Sequence, residues 1–260
     1  MKNLHLLVLL TAVLSGCSVH QEQLTSGARY LSDFQPRTSS IDFDNSMQGL
    51  LRRAAAVEAT LTLPARIGLA RISGNSLRPV SAEELDLWRA PTDNTIHQVD
   101  IVPIAPLIAE AVTRELSSTV TKNGRDALSS AMTQIRLASA RQHVDAVLIY
   151  TTDTTSQRRR NLLSVADLAL VGGAFIPSRS IKTEVTAQAL LMDVRSGYPY
   201  GNASAATDLS KLSPWWGARG REKLMRQAAV KDVIQQLIPE AKIMIGKVIK
   251  SSQARTRKNR

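Results

Sequence analysis

Short apolar runs and runs with helical spacing alternate along the chain. The apolar runs are bounded by Pro, Gly or polar turn residues, and each is of strand length. They predict strands at 66–72, 99–102, 144–150 and 185–194, with a further strand beginning at Tyr198. The run at 144–150 is apolar at almost every position, which is typical of a strand covered on both faces.

Apolar residues three and four positions apart predict the helices. These are expected at 47–59, 82–90, from 106 to about 116, at 126–142, and at 221–236 with a second piece at 241–249. Ser81 followed by Glu84 is typical of a helix start, and Pro106 suits a first helical position. Pro239 is expected to divide the last helix, because proline lacks the N–H that continues the hydrogen-bond ladder.

This order of elements predicts one α/β fold. We expect a small mixed sheet with crossover helices on its faces, a late antiparallel meander and a C-terminal amphipathic helix. The single α/β domain is predicted to span residues 47–246. Residues 17–46, rich in Ser, Gln, Thr and Asp, are expected to form a flexible tether, and residues 247–260 a basic tail.

The N-terminus carries the most specific motif. A basic start is followed by an apolar stretch from Leu4 to Leu14, which has the length of a signal peptide and is too short to span a bilayer. The stretch ends in Leu14-Ser15-Gly16-Cys17 and resembles the lipobox of bacterial lipoproteins. The resemblance implies a signal peptide at 1–16, cleavage between Gly16 and Cys17, and acyl chains on Cys17. The alternatives are an ordinary secretory signal with a chance cysteine, or an uncleaved anchor.

The resemblance also implies a compartment. In lipoprotein sorting, Asp directly after the acylated cysteine implies retention at the inner membrane. Ser18 stands at that position here, so we expect the protein on the periplasmic face of the outer membrane, held there by its acyl chains.

Composition changes this picture in two ways. The chain has 260 residues, one Cys and a formal net charge of +11. One Cys excludes a disulfide scaffold and a Cys-rich zinc module. Six basic and no acidic residues lie in 247–260. Because an exported protein rarely meets nucleic acid, we expect this charge to face anionic envelope surfaces instead.

Motifs for catalysis are absent from the sequence. There is no G-x-S-x-G, S-x-x-K, H-E-x-x-H or P-loop. His97 and His143 lie outside any metal-ligand spacing, and we expect no cofactor and no metal. Asp145, Asp153 and Asp193 lie in or beside strands, where capping and turn roles are expected more than acid–base chemistry.

Three further features are open to two interpretations each. Gly172-Gly173 is either a bulge or a phosphate loop, with the bulge preferred. Trp215 and Trp216 form either a partner-binding surface or ordinary packing under the last helix. Arg158, Arg159 and Arg160 are expected at an exposed loop tip, either as a patch that contacts anionic partners or as a solvated turn.

Four segments together resemble the rhombotarget lipoprotein family of proteobacteria. They are Pro64 to Ala70, Val144 to Tyr150, Leu170 to Pro177 and Ala189 to Gly197. The resemblance implies an envelope lipoprotein and supplies no mechanism. The family's C-terminal Gly-Gly motif and apolar segment are missing here, so its C-terminal processing is not implied. More distantly, the element order resembles the curli secretion channel subunit and the activators of penicillin-binding proteins, which share a small α/β domain.

Two functions are consistent with these patterns. The favoured one is a non-enzymatic binding or assembly module for an envelope protein or an anionic envelope polymer. The alternative is an envelope hydrolase with a dispersed Asp/Ser site, which would require perturbed carboxylates around a cavity.

Overall fold

A computed structural model describes residues 17–23, 25–32, 47–74, 76–90, 99–117, 127–160, 179–213 and 218–258. The strands are β1 (Cys17–Glu22), β2 (Ala65–Ser73), β3 (Ser76–Arg78), β4 (Val99–Pro103), β5 (Ala146–Arg160), β6 (Arg179–Asp193) and β7 (Pro199–Ser213). The helices are α1 (Gly27–Ser32), α2 (Met47–Ala55), α3 (Ala82–Arg89), α4 (Pro106–Ser117), α5 (Ala127–Arg141) and α6 (Ala218–Lys258).

The strands form one mixed sheet in the order β1-β7-β6-β5-β2-β3, with β4 also paired to β2. One edge of β2 serves two partners. Its first half, from Ala65 to Leu69, pairs in parallel with β4, and its last residues, from Arg71 to Ser73, pair antiparallel with β3. The five residues between β6 and β7 are too few for a parallel crossover, so these neighbours form the predicted antiparallel hairpin. The predicted α/β fold class is confirmed.

The chain forms two compact units. Unit 1 takes residues up to Val19, Thr151–Gln188 and Ala203–Glu240; unit 2 takes His20–Tyr150, Ala189–Asn202 and Ala241–Arg260. In unit 1, small and branched side chains of β6 and β7 are buried at alternate positions, as are apolar residues of α6. These are Val185, Ala187, Ala203, Ala205, Met225, Ala229, Val233, Ile234 and Leu237.

The main apolar core of unit 2 surrounds the middle of the sheet. Strands β2 and β5 and the ends of β6 contribute apolar side chains that pack with residues of α4 and α5. The buried members are Ala70, Ile72, Ile104, Ala109, Ile135, Ala138, Val144, Val147, Ile149, Met192 and Val194. Strand β5 is fully buried from Ala146 to Tyr150, as its continuous apolar run predicts.

The predicted helix starts are confirmed. The Ser81 hydroxyl accepts a hydrogen bond from the Glu84 N–H at 3.3 Å, and α4 begins at Pro106. The end of α5 has a feature that the sequence did not predict. His143 adopts a left-handed conformation with φ of 54°, and the N–H of Val144 then donates to the Ser139 carbonyl. His143 therefore ends a helix, while His97 lies outside the described residues.

The predicted division of the last helix at Pro239 is wrong. Helix α6 runs from Ala218 to Lys258 with Pro239 inside it. Proline removes one backbone hydrogen bond, but apolar side chains at helical spacing are buried on both sides of it. They include Ile234, Leu237, Ile238, Ala241, Met244 and Ile245. Burial of this continuous face outweighs the one lost bond.

Much of the described part of the predicted tether and tail is structured. Strand β1 joins the sheet beside β7, and the next residue, Gln23, donates its N–H to the Tyr200 carbonyl at 2.7 Å. Within the predicted tail, Lys247 forms an ion pair with Glu22 at 3.0 Å, and the Ser252 hydroxyl donates to the Leu61 carbonyl at 2.6 Å. The sequence did not predict strand β1 or the last turns of α6, because their residues are mostly polar. An edge strand and a half-exposed helix need few apolar residues.

Candidate functional site

The structure places the predicted site residues in different settings. Cys17 begins β1, while Gly16, Trp215 and Trp216 lie outside the described residues. The prediction of a loop tip at 158–160 is wrong, because these arginines end strand β5. The strand continues past its apolar run through a stretch rich in threonine, a residue type that favours extended backbone. Residues 162–176, with the Gly-Gly pair, also lie outside the described part.

Asp193 is the most completely buried carboxylate among the described residues, with 1% of its surface exposed. Its Oδ2 accepts hydrogen bonds from the Tyr200 hydroxyl at 2.6 Å, the Thr60 hydroxyl at 2.7 Å and the Thr60 N–H at 3.2 Å. Its Oδ1 accepts from the N–H groups of Arg195 and Ser196 at 2.9 and 3.0 Å. We call these residues the Asp193 cluster. Both oxygens are engaged in holding the turn after β6 and the irregular segment before β2.

The electrostatics of the cluster favour a permanent carboxylate. Burial by itself raises the pKa of Asp193, but the hydrogen bonds from Tyr200, Ser196 and Thr60 outweigh it, so the pKa lies below its ordinary value. Burial and the neighbouring charge of Asp193 raise the pKa of Tyr200. Neither group is therefore poised to exchange a proton near neutral pH.

A glycine and an arginine fix the turn that presents Asp193. Gly197 has φ of 77°, and its N–H donates to the Asp193 carbonyl at 3.0 Å. A Cβ at this position would lie 3.1 Å from the guanidinium of Arg136. That guanidinium donates to the carbonyls of Val194 and Arg195 at 2.9 to 3.2 Å, so a side chain at position 197 would crowd it, and the positive φ already favours glycine.

Asp145 also has a structural role. Its Oδ2 accepts from the Arg66 N–H and its Oδ1 from the Arg195 guanidinium, both at 2.9 Å. Arg195 thus joins Asp145 to Asp193, whereas Asp153 is an exposed residue of β5. Each oxygen of these two carboxylates accepts at least one hydrogen bond from a protein donor, which agrees with the preferred capping and turn roles.

A second buried polar group lies around Glu84. The Tyr150 hydroxyl donates to Glu84 Oε1 at 2.6 Å, and Arg71 donates to Oε2 at 2.9 Å. Burial, together with the hydrogen bond to Glu84 and its charge, raises the pKa of Tyr150 well above the usual range. Buried Lys242 donates to the carbonyls of Leu87 and Ala90 at 2.9 and 2.5 Å, and burial lowers its pKa. These polar groups stabilise the elements that contain them.

Among the described residues, no three His, Cys, Asp or Glu side chains come together as metal ligands. Within the same residues, no helix combines the length and the apolar character needed to cross a bilayer.

A concave surface in unit 2 lies where α1 crosses α2. Gly27 makes the crossing possible, since a Cβ there would come within 1.9 Å of the Ala55 carbonyl oxygen. Glu58 fixes α1 by accepting the Ala28 N–H at 2.8 Å, and the Tyr198 hydroxyl donates to the Thr25 carbonyl at 3.0 Å. The residues before α1 are therefore held between β7 and α2.

This arrangement encloses an open groove of about 460 Å³, which we call the α1–α2 groove. One wall is apolar and belongs to α2, the other belongs to α1 and the start of β7, and hydroxyl and amide side chains lie between them. The lining residues are Gln23, Thr25, Ser26, Gly27, Tyr30, Leu51, Ala54, Ala55, Val57, Tyr198 and Pro199.

Helix α2 turns its apolar stripe outward. Met47, Leu50, Leu51 and Ala54 lie at positions i, i+3, i+4 and i+7, which share one helix face, and all four are exposed. The three larger side chains are 70%, 50% and 46% exposed, whereas Gly49 is buried. The spacing was readable from the sequence, but its direction was not, because an apolar stripe normally faces the core.

The sequence matches no protein-family model and no curated protein sequence. Several solved structures are similar to it at a low level, and three of them are described here. Lipoprotein GNA1162 from Neisseria meningitidis shares 16% identity, with coverage of 65% of this chain and 98% of that one and a TM-score of 0.28. A PelC dodecamer from Paraburkholderia phytofirmans shares 13% identity, with coverage of 92% of this chain and 99% of that one and a TM-score of 0.29. The LpoB C-terminal domain from Escherichia coli shares 14% identity, with coverage of 65% of this chain and 99% of that one and a TM-score of 0.26.

TM-scores this low do not establish a shared fold in detail, so function has to be inferred from the chain's own residues. The rhombotarget resemblance stays a prediction.

Proposed function

We propose that this protein is a lipoprotein, held by acyl chains on Cys17 at the periplasmic face of the outer membrane. It works there as a non-enzymatic binding or assembly module, and the α1–α2 groove receives an envelope protein. The lipobox supports the anchor and the compartment. The groove supports the binding role.

One observation carries the binding role. The buried carboxylates Asp193 and Glu84 and the partly buried Asp145 are engaged by protein donors, whereas the apolar stripe of α2 beside the groove is exposed. Apolar side chains that line a concave surface gain free energy when a partner covers them, at about 25 cal/mol per Å². A partner that covers the apolar wall of the groove would gain this free energy, which supports a binding role.

The anchor is tested by metabolic labelling with palmitate. The wild-type protein incorporates the label and Cys17→Ala does not; persistent labelling of the variant excludes lipidation at this site. A second pair of variants tests sorting. Ser18→Asp is expected to shift the protein to the inner membrane, while Ser18→Ala, the matched control, remains in the outer membrane. Identical fractionation of the two variants would exclude the predicted sorting.

The groove is tested by photo-crosslinking in intact cells. A benzoylphenylalanine at Leu51 lies on the groove wall, whereas one at Leu107, which is 78% exposed on α4, lies outside it. We expect a discrete crosslinked protein from position 51 and none from position 107. Equal products from both positions, or none from position 51, would remove the support for a partner at the groove.

A further inference from the structure

We propose that one end of the long strands of unit 1 binds the anionic phosphate headgroups of the bilayer that holds the acyl chains of Cys17. This surface is separate from the α1–α2 groove and adds a second attachment to the membrane. It rests on the proposed function in one respect, the lipid anchor at Cys17. Three properties of the described residues lead to it.

The first property is that strands β5, β6 and β7 share one end. The N–H of Val194, just after β6, donates to the carbonyl of Asp145, just before β5, so these neighbouring strands are antiparallel. Strand β7 is antiparallel to β6 as well, because the two form a hairpin. All three strands have 15 residues. The end of β5 at Arg160, the start of β6 at Arg179 and the end of β7 at Ser213 therefore lie side by side.

The second property is the charge of this end. We define the basic end as residues 156–160, 179–183, 209–213 and 218–221. The last of these ranges is the start of α6, which follows β7 by five residues and so lies within about 19 Å of its end. The basic end contains eight basic residues and no acidic one. The basic residues are Arg158, Arg159, Arg160, Arg179, Lys182, Lys211, Arg219 and Arg221.

The acidic residues near these ranges in the sequence are too few to neutralise the basic end. They are Asp153, Asp167, Glu184, Asp208 and Glu222. If each of these five formed an ion pair with one of the eight basic residues, three positive charges would remain. The phosphates of a bilayer form a continuous anionic surface, and Lys and Arg residues close to such a surface are attracted to it.

The third property is the position of Cys17. Cys17 is itself the first residue of the edge strand β1, so its acyl chains join the chain directly at the sheet. Gln23 donates to Tyr200, and a Cβ on Gly201 would meet the Gln21 carbonyl, so β1 and β7 are antiparallel. Cys17 precedes Gln23 by six residues and therefore lies beside position 206. Strand β7 continues for seven residues beyond that position, which is about 23 Å.

This geometry brings the bilayer to the basic end. Acyl chains at Cys17 hold the β1 edge of the sheet at the membrane, and Val19, two residues further along this edge, is 64% exposed. The basic end is about 23 Å away, which exceeds the Debye length of about 8 Å at physiological ionic strength. The headgroups therefore attract the basic end when the strands of unit 1 lie along the membrane surface. The anchor keeps no other anionic surface so close.

The test is binding of the full mature chain to lipid vesicles. Cys17→Ser is used throughout, so that no acyl chain contributes. One set of vesicles contains phosphatidylcholine alone and the other contains phosphatidylcholine with phosphatidylglycerol, and bound protein is measured by sedimentation. We expect binding to the phosphatidylglycerol vesicles at low salt, little binding to phosphatidylcholine, and release at high salt.

Matched variants locate the binding surface. Arg158→Gln/Arg160→Gln/Arg179→Gln should weaken binding by about tenfold or more, since each basic residue near an anionic surface contributes roughly fivefold. Lys250→Gln/Arg255→Gln/Arg257→Gln removes the same charge from the end of α6 and should weaken binding less than about threefold. Arg158→Lys/Arg160→Lys/Arg179→Lys keeps the charge and should bind as the parent does. Circular dichroism checks that each variant is folded.

A fluorescence measurement tests the same surface without removing charge. An environment-sensitive fluorophore is attached to Ser213→Cys at the end of β7 or to Ser76→Cys in β3, both with Cys17→Ser. Phosphatidylglycerol vesicles should shift the emission of the label at position 213 to shorter wavelength and leave that at position 76 unchanged. Equal shifts at both positions would exclude contact through the basic end.

Other outcomes also overturn the inference. Equal binding to both kinds of vesicle, or equal weakening by the two Gln variants, excludes a specific basic end. Loss of binding in the Lys variant excludes charge as the cause. Competition by glycerol phosphate at the phosphate concentration of the vesicles assigns the basic end to a free phosphate. If vesicle binding fails while palmitate labels Cys17 and a protein is crosslinked at position 51, the proposed function stands and this inference falls.

Discussion

The Asp193 cluster and the α1–α2 groove lie in the same unit, but they differ in which kind of side chain is buried and which is exposed. The cluster buries a charge and satisfies it with five donors. The groove and the adjoining apolar stripe of α2 leave leucine, methionine and tyrosine side chains 46% to 70% exposed. A buried carboxylate often belongs to a catalytic site, and the apolar face of a helix usually packs in the core. Here the carboxylate of Asp193 has a structural role, and the apolar face of α2 is exposed.

Two neighbouring tyrosines make the comparison sharper. Tyr198 and Tyr200 lie at alternate positions around the start of β7, with ring centroids 5.3 Å apart. The hydroxyl of Tyr200 donates to Asp193 and accepts from the Leu61 N–H at 2.8 Å. The hydroxyl of Tyr198 donates to the Thr25 carbonyl beside the groove. The same residue type therefore stabilises the core in one case and positions a groove wall in the other.

The largest effect is expected for Asp193→Ala. It leaves several buried donors without an acceptor, so the free energy of unfolding should fall by about 3 kcal/mol. Urea unfolding followed by circular dichroism measures the change. Asp153→Ala, at an exposed position, is the control and should change it by less than about 0.5 kcal/mol. Equal effects of the two variants would contradict the structural role of Asp193.

The stabilisation by Asp193 is expected to depend on pH. Its pKa in the folded protein lies below the ordinary value of 3.8, so the stabilisation is fully present above that value and is lost as pH falls through the folded pKa. The difference in unfolding free energy between the wild type and Asp193→Asn should be constant from pH 7 to about 5 and shrink below about pH 4. Urea titrations at several pH values measure it, and a difference that grows on acidification would contradict the depressed pKa.

A smaller difference is expected between the two tyrosines. Tyr200→Phe removes a buried donor to a carboxylate and should cost about 2 kcal/mol, whereas Tyr198→Phe removes a bond to a neutral carbonyl and should cost about 1 kcal/mol or less. The same urea titration compares them. If Tyr198→Phe were the more destabilising, the main stabilising contacts would lie at the groove.

The smallest effect on stability is expected at the groove itself. Leu51 is 46% exposed, so Leu51→Asp should change the free energy of unfolding by about 0.5 kcal/mol or less while abolishing partner crosslinking. Thermal and urea unfolding measure the first effect. A large destabilisation would mean that the apolar stripe packs within the protein, and the contrast with Asp193 would disappear.

The sequence predicted the elements better than it predicted their surroundings. Ser81, Pro106 and the run ending at Tyr150 have local signals, because caps and fully buried strands depend on neighbouring residues. Strand β1 and the groove depend on contacts between distant segments. The close approach of Gly27 to Ala55 follows from the crossing of two helices, and no local pattern predicts it.

The last helix has a consequence for how the protein folds. The part of this helix from Ala241 onward belongs to unit 2, where Lys242 reaches the end of α3 and Ser252 reaches Leu61, 191 positions earlier in the chain. Contacts with such large sequence separation form slowly, because a long loop must close first. Unit 2 is therefore incomplete until the residues from Ala241 onward have joined it, so its final contacts are expected to form late in folding.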